Sequence, residues 1–410
     1  LVYWPPAGTG VDDPTLPELL EQALDAVGDE HLTLRVLLTT RLTFYRAYPL
    51  GQGFERVGEA ERALALARQT GSDEALAAAL RLTIRVLYGT TRIAEQVSLA
   101  DELLTIGRRT GEQRSELLAL AFRSNAHIQL ADRAGYDADL NELRRRATEV
   151  GTRRAKYILA VTQGLQALME GRFAGVERLS EQALAFGGLQ TDRLAGHPAR
   201  LTRLHWEQGR LEQAIATSRE WARRIRGHPV ATLSTARLQA ELGDREPAKA
   251  VFDELMADDL AGVPRDLHWP CALADLAALC AHLGDSAQAS RLSAHLRPYR
   301  GHVLLMGGHL CVGAADRFLG MLAHTLGRFD DAVDHHMTAL GVEQRLKAPP
   351  LTARTRYWCA RALRARRAPT DEEHASTLLE GALATSHQLG MSGLATDAQE
   401  LLWKARQTLA

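Results

Sequence analysis

Cysteine, lysine and aromatic side chains are all scarce in this chain of 410 residues. The four cysteines, Cys271, Cys280, Cys311 and Cys359, lack the paired spacings of a zinc site or a redox motif, and nothing before them reads as a signal peptide. A reducing, cytoplasmic location is the expectation. Long apolar runs are missing as well: Arg, Glu or Asp interrupts every Leu/Ala stretch within about two turns, which excludes a membrane-spanning helix. Neither sign of charge prevails. Lys+Arg 49 against Asp+Glu 50 gives a net charge of -1, so no overall field draws the chain onto nucleic acid or an acidic membrane. Any charge-based partner must be read from a local patch. Lys156, Lys249, Lys347 and Lys404 are the only lysines, so nearly all the positive charge is arginine. That surplus reads first as the habit of a GC-rich genome rather than as selection for phosphate binding.

Alternating β-branched segments are absent too, while Leu, Ala, Arg, Glu and Gln dominate, which predicts an all-α chain. Apolar residues recur at three and four spacing, as in Ala60, Ala63, Leu64 and Ala67, or Ala332, Val333, Met337 and Leu340. The strongest signal is a repeat. A phrase built on Gly returns as Glu170-Gly171-Arg172-Phe173, Gln208-Gly209-Arg210-Leu211, Leu242-Gly243-Asp244-Arg245, Leu283-Gly284-Asp285-Ser286 and Leu326-Gly327-Arg328-Phe329, at intervals of 34 to 43 residues. That is the period of a helix hairpin. Gly supplies the tight turn, and Ala214, Ala248, Ala289 and Ala332 let the second helix pack close. Gly164 and Gly320 mark where the first helix must be thin, and Ala183 and Ala339 recur further along the second.

The pattern of Gly320, Gly327, Ala332 and Ala339 resembles the tetratricopeptide repeat. The resemblance implies a right-handed superhelical solenoid of stacked hairpins whose first helices line a concave face. About nine helix pairs are expected over residues 29–390, with residues 1–28 a truncated or atypical N-terminal hairpin and residues 391–410 a capping helix sealed by Leu401, Leu402, Trp403 and Leu409. The turn at Asp132 to Gly135 is off register, the Ala382 repeat has arginines where its turn glycine belongs, and Gly187 to Pro198 and Met256 to His268 form long connections. Leu1 to Trp4, broken at once by Pro5 and Pro6, reads as the tail of a helix whose front is missing, or as an apolar anchor on the first hairpin. Such an uncapped end suits pairing with a second copy, a possible homodimer.

A wider resemblance rests on Ala100-Asp101-Glu102-Leu103-Leu104, Met169 to Phe173, Trp206 to Leu211, Pro264-Arg265-Asp266-Leu267-His268-Trp269 and Leu319-Gly320 to Asp330. Their order is similar to the C-terminal helical region of large bacterial ATPase-repeat proteins, the LuxR-type ATP-dependent transcriptional regulators and the cyclase-ATPase-repeat proteins. It implies a sensor region that binds an inducer or inhibitory partner and controls an ATPase, or a scaffold. The sequence itself carries no phosphate loop, since Ala7-Gly8-Thr9-Gly10 lacks the lysine, and no terminal helix-turn-helix.

Chemistry-bearing clusters are few. Asp330, Asp334, His335 and His336, with His302, His309, Cys311 and His324 upstream, are the densest metal-type group, but His335 and His336 point about 100 degrees apart on a helix. No Gly-x-Ser-x-Gly elbow or Cys with a fixed base is present; the cysteines fall where a small hydrophobe packs. Paired acids such as Asp12 and Asp13, or Asp258 and Asp259, read as caps or solvated turns. A non-enzymatic binding module without a cofactor is therefore expected, with a protein or peptide partner or a small-molecule effector. In the repeat register, the residue six before each turn glycine faces the groove, giving Arg203 and Arg237, with Arg317 a turn earlier on that face. Arg81, Arg85, Tyr88, Arg123, Asn125 and His127 are the upstream candidates. Such a basic and polar groove suits an acidic peptide, a phosphate-bearing molecule or an acidic protein surface, or else reflects composition alone. Trp206, Trp221, Trp269, Trp358 and Tyr357 read as wedges between hairpins or as stacking walls, with Trp269 the most exposed. The glycine-dense segment Gly301 to Gly313 is expected to be a flexible rim of the groove.

Overall fold

The computed structural model describes residues 15–28, 30–47, 53–187, 196–225 and 228–409. Leu1 to Trp4, Ala7 to Gly10, Asp12, Asp13, most of the Gly187 to Pro198 connection and the Leu409 side chain lie outside the described residues.

After α1 (Thr15–Ala26) the helices pack in sequential pairs. The pairs are α2 (Leu32–Ala47) with α3 (Val57–Thr70), α4 (Asp73–Val86) with α5 (Ile93–Thr110), α6 (Gln113–Gln129) with α7 (Arg133–Val150) and α8 (Arg153–Met169) with α9 (Val176–Gly187). They continue as α10 (His197–Glu207) with α11 (Leu211–Arg224), α12 (Val230–Leu242) with α13 (Arg245–Met256) and α14 (Trp269–Leu283) with α15 (Ser286–Leu296). The last are α16 (Ala315–Thr325) with α17 (Phe329–Arg345) and α18 (Pro349–Arg366) with α19 (Asp371–Leu389), before the closing α20 (Ser392–Leu409). Side-chain caps start several of them: Ser72, Asp132, Thr152 and Asp285 each accept a backbone N–H three residues on.

Within the repeats the turn residue takes the left-handed conformation. Ala131 and Arg367 adopt it where the glycine is missing, so the two turns that depart from the repeat still close. Ala214, Ala248, Ala289 and Ala332 are all fully buried against the partner helix. Helices α4, α6, α8, α12 and α14 are buried nearly all round, whereas α3, α11, α13 and α15 bury one stripe. The even-numbered helices thus form the inner layer.

Successive turns of the superhelix touch one another. Arg133 Nη1 donates to the Leu346 carbonyl at 3.1 Å across 213 residues, and Ser392 Oγ to the Gln208 carbonyl at 2.7 Å across 184. Gly171, at φ +74, sits in this seam, where a Cβ would lie 2.8 Å from Leu389 Cδ1 and 3.2 Å from Pro350 Cγ. Gly171→Ala is therefore expected to destabilise the chain by about 2 kcal/mol, the sum of left-handed strain and overpacking. Urea denaturation checks it, and an unchanged midpoint contradicts the seam.

The segment expected to be a flexible rim is instead a buried β-hairpin, β1 (Val303–Met306) and β2 (Leu310–Ala314). Val303, Leu305, Cys311 and Ala314 pack with Ile128, Tyr136, Leu140 and Leu165 of the first half. Leu304, Met306 and Val312 join the core of α12, α14 and α16 in the second half. A strand covered on both faces is apolar throughout, so it shows no alternation in sequence. The register slips between Leu304 and Leu305, leaving Val312 bulged. Gly313, at φ +125, lies beside that bulge, and a Cβ on it would strike the guanidinium of Arg317.

Two aromatic expectations are corrected. Trp269 is 4% exposed, not the most open of the tryptophans, because Arg265 lies 4.9 Å above its ring and His295 meets its edge. Trp403 is 59% exposed, whereas Leu402 is buried and Leu401 packs beside it, with Leu394, Ala395 and Ala398 completing the inward stripe of α20. No described helix is long and apolar enough to cross a membrane.

Candidate ligand chamber on the inner face

The hairpin packs between helices of the first half and the core of α12, α14 and α16. On its C-terminal side, α10, α12, α14, α16, α18 and α20 enclose a chamber with about 680 Å³ of atom-free space, part of it open to solvent. Arg203, Arg237 and Arg317 all line it, joined by Arg354 and Arg361, which the repeat register did not single out. Val312 of the hairpin forms part of the wall. Helical periodicity explains the convergence, because one inner-face position from each successive repeat points toward the same axis.

Trp206 organises the arginines. The guanidinium carbons of Arg354, Arg203 and Arg237 lie 3.4, 4.4 and 4.5 Å from its ring centroid. Its indole N–H donates to Glu241 at 2.8 and 2.9 Å, which fixes the ring. Glu207, from the end of α10, binds Arg203 at 2.7 Å and reaches across the superhelix to Arg354 at 2.9 Å. Arg237 pairs with Asp275 at 2.8 Å and Glu241 at 3.1 Å, and Arg317 with Glu343 at 3.5 Å. Arg361 lies 4.3 Å from the Trp358 ring and, among the described residues, forms no ion pair.

The buried charges perturb one another. Burial pushes the Glu207 carboxyl up, but Arg354 and Arg203 outweigh it and hold the group below its ordinary range. Burial wins at Asp275 and at Glu343, which sit above theirs despite Arg237 and Arg317. Asp397 is raised too, by burial and then by Glu241. Arg203 is pulled down to about 10, by burial against the attraction of Glu207, with Arg354 adding to the fall. The chamber is a dense lattice of alternating charges with aromatic walls, able to hold a molecule that is flat and anionic at one end.

The upstream candidates divide. Arg81 and Arg85 stay on the inner face of α4, where Arg81 meets Glu112 at 3.2 Å. Tyr88 is buried in the first-half core, accepting from Asn125 Nδ2 at 3.0 Å and meeting the edge of Phe122. Arg123 is pinned by hydrogen bonds to Asp139, with Asp101 second, and its pKa is raised by them. His127 lies 2.9 Å from Asp132. These last two tie α6 to α5 and α7.

The metal-type cluster is dispersed. His335 Nδ1 lies 2.9 Å from Asp316, Asp330 faces Arg366, and His309 at the hairpin tip meets Arg200. His336 is buried against Gly320, where a Cβ would fall 2.6 Å from the ring. A different trio comes together: His228, Asp266 and His268 place one ligand-type atom each within 4.8 Å of one another. Burial alone would raise Asp266, but His268 and His228 draw it below its ordinary range. Its three residues come from two connections far apart in sequence, so no spacing betrayed them. All four cysteines are buried, and burial raises the thiols of Cys280, Cys311 and Cys359 to about 12, as packing residues rather than nucleophiles.

No family model matches the chain, and no curated protein matches it. Among solved structures, the crystal structure of the APC/C hetero-tetramer Cut9–Hcn1 aligns over 95% of this chain with a TM-score of 0.54 and 16% identity. The chain spans 65% of that chain's length. A circular tandem repeat protein with novel repeat topology and enhanced subunit contact surfaces aligns over 97% of this chain and 88% of its own at 16% identity, with a TM-score of 0.15. Helix pairing, turn conformation and the first likeness agree that the chain is an all-α, right-handed superhelical solenoid of tetratricopeptide-type hairpins.

Proposed function

We propose that the chain is a non-enzymatic regulatory binding module whose small anionic effector occupies the inner chamber. The observation that carries this reading is Arg361: a half-buried guanidinium beside Trp358 and Tyr357 that forms no ion pair among the described residues and feels Asp397 only at longer range. A carboxylate or phosphate there gains a charge-assisted bond, and a flat body stacks on the neighbouring rings. The order of phrases shared with large ATPase-repeat proteins supports the finer role, the sensor region of an ATP-dependent LuxR-type transcriptional regulator in a bacterial cytoplasm.

A thermal-shift panel of carboxylated and phosphorylated ring compounds tests the chamber. A stabilising compound is expected to lose about tenfold in affinity in Arg361→Ala, with the unliganded melting temperature unchanged within a degree or so. Retained affinity in that variant contradicts the placement. A second reading, a scaffold for a protein partner, draws support from the likeness to a chain of a hetero-tetramer. Failure of the whole panel, together with a stoichiometric protein complex that Arg361→Ala leaves intact, selects that reading instead.

A further inference from the structure

On the N-terminal side of the hairpin the inner face holds a second cavity, with about 1330 Å³ of atom-free space that opens to solvent, walled by α2, α4 and α6. Arg41, Arg81 and Arg114, one from each of those helices, line it. Arg41 is 6% exposed; its Nη2 donates to the Tyr45 hydroxyl at 3.2 Å, while Nε and Nη1 find no acceptor. Arg81 is 7% exposed, gives Nη1 to Ser115 at 2.6 Å and to Glu112, and leaves Nε unsatisfied. Beside them Arg154 is half-buried and feels the repulsion of Arg85 and Arg81, which Tyr157 offsets in part. Among the described acids on the cavity wall, Asp73 is held by Arg109, Glu112 by Arg81, and Glu74 also attracts Arg81.

The cost of this arrangement is visible at Arg114. Burial, then repulsion from Arg154 and Arg81, pulls its guanidinium down to about 9 against the attraction of Glu112. The buried N–H groups of Arg41 and Arg81 that lack an acceptor cost stability unless something fills the site. Neighbouring helices stand about 8–10 Å apart, so an anion with charge along its length matches arginines from three successive helices better than a single charged point does. Guanidinium forks match phosphate oxygens, and the wall is polar, with Thr40 and Thr110 beside the arginines and only Leu37 and Ala78 as apolar surface. Peptide side chains would find little to bury there.

We propose that this N-terminal groove is a binding site for a polyphosphate group, free or carried by a small molecule, engaged by Arg41, Arg81 and Arg114. The site is separate from the chamber and does not depend on the effector reading. Isothermal titration of the whole chain with inorganic tripolyphosphate, at low and then high salt, provides the test. Saturable one-to-one binding is expected, weakening with salt and falling about tenfold in both Arg114→Met and Arg41→Met. Because each variant removes a like charge, both are expected to melt at or above the unsubstituted chain when no ligand is present. Arg361→Ala is expected to bind tripolyphosphate normally. An absence of saturable heat overturns the site, as does unchanged affinity in both methionine variants. Binding lost in Arg361→Ala but kept in Arg114→Met moves the anion to the chamber and overturns it too. Saturable binding of polyglutamate without any of tripolyphosphate assigns the groove to an acidic peptide and refutes the phosphate class.

Discussion

Replacing Glu207 with alanine is expected to destabilise the chain by roughly 3–5 kcal/mol, among the largest losses that a single substitution here can cause. The carboxylate is 2% exposed and holds Arg203 of its own helix and Arg354 of α18, 147 residues away, so it joins two arms of the superhelix. Its removal strands two guanidinium groups whose side chains are only 13% and 11% exposed. Removing both charges of the long-range pair, as in Glu207→Met with Arg354→Met, is expected to recover much of the loss, because apolar replacements need no solvation. Urea denaturation of the three chains reads the outcome. A Glu207→Ala loss below about 1 kcal/mol, the range of an exposed pair, contradicts the buried lattice.

The second large effect is acid sensitivity centred on His336. Both ring nitrogens are buried without a hydrogen-bond partner. Burial first, then His324 and Arg317, lowers its pKa to about 3. In the unfolded chain an imidazole titrates near 6.5. The unfolded state therefore takes up the proton first: this stability is complete above about pH 6.5, and is lost as the pH falls toward about 3. The shift corresponds to a loss on the order of 5 kcal/mol. Glu207, held below its ordinary range, adds to the loss in acid, whereas Asp275 and Glu343, raised by burial, oppose it. The difference between the unsubstituted chain and His336→Leu isolates the histidine. Leucine is expected to narrow the fall in melting temperature between neutral and mildly acid pH; parallel curves for the two chains contradict a neutral, buried ring.

How far the sequence is legible differs between the scaffold and the sites. Glycine and alanine at fixed spacing announce the hairpins, because close helix packing and left-handed turns admit few residues, and Ala214 or Ala332 sits where that spacing places it. The same register finds Arg203, Arg237 and Arg317, since a solenoid carries one position of each repeat to one face. It misses Arg354 and Arg361, whose repeat has no turn glycine to count back from. The hairpin at Val303–Ala314 is hidden for a different reason: a four-residue strand buried on both faces has no period, and its glycines belong to a tip and a bulge rather than to mobility. Long-range partners such as Glu207 with Arg354 follow from how tightly the superhelix winds, which depends on every hairpin interface summed together. Tyr88 and Trp269 show the remaining difficulty, because whether an aromatic ring lines a groove or fills a core is settled by its neighbours from other repeats.

The central claim is that a fixed hairpin packs between the two halves of a solenoid whose inner face holds an aromatic, charge-paired chamber walled in part by that hairpin. Native-state hydrogen exchange of the free chain tests it most directly, read at the amides of β1 and β2. The account predicts that the paired amides from Val303 to Ala314 exchange only with global unfolding, as slowly as those of α14 and α16 that enclose them. Exchange of that segment at loop-like rates, with the flanking helices still protected, would show that the hairpin is no fixed wall of the chamber and contradict the account.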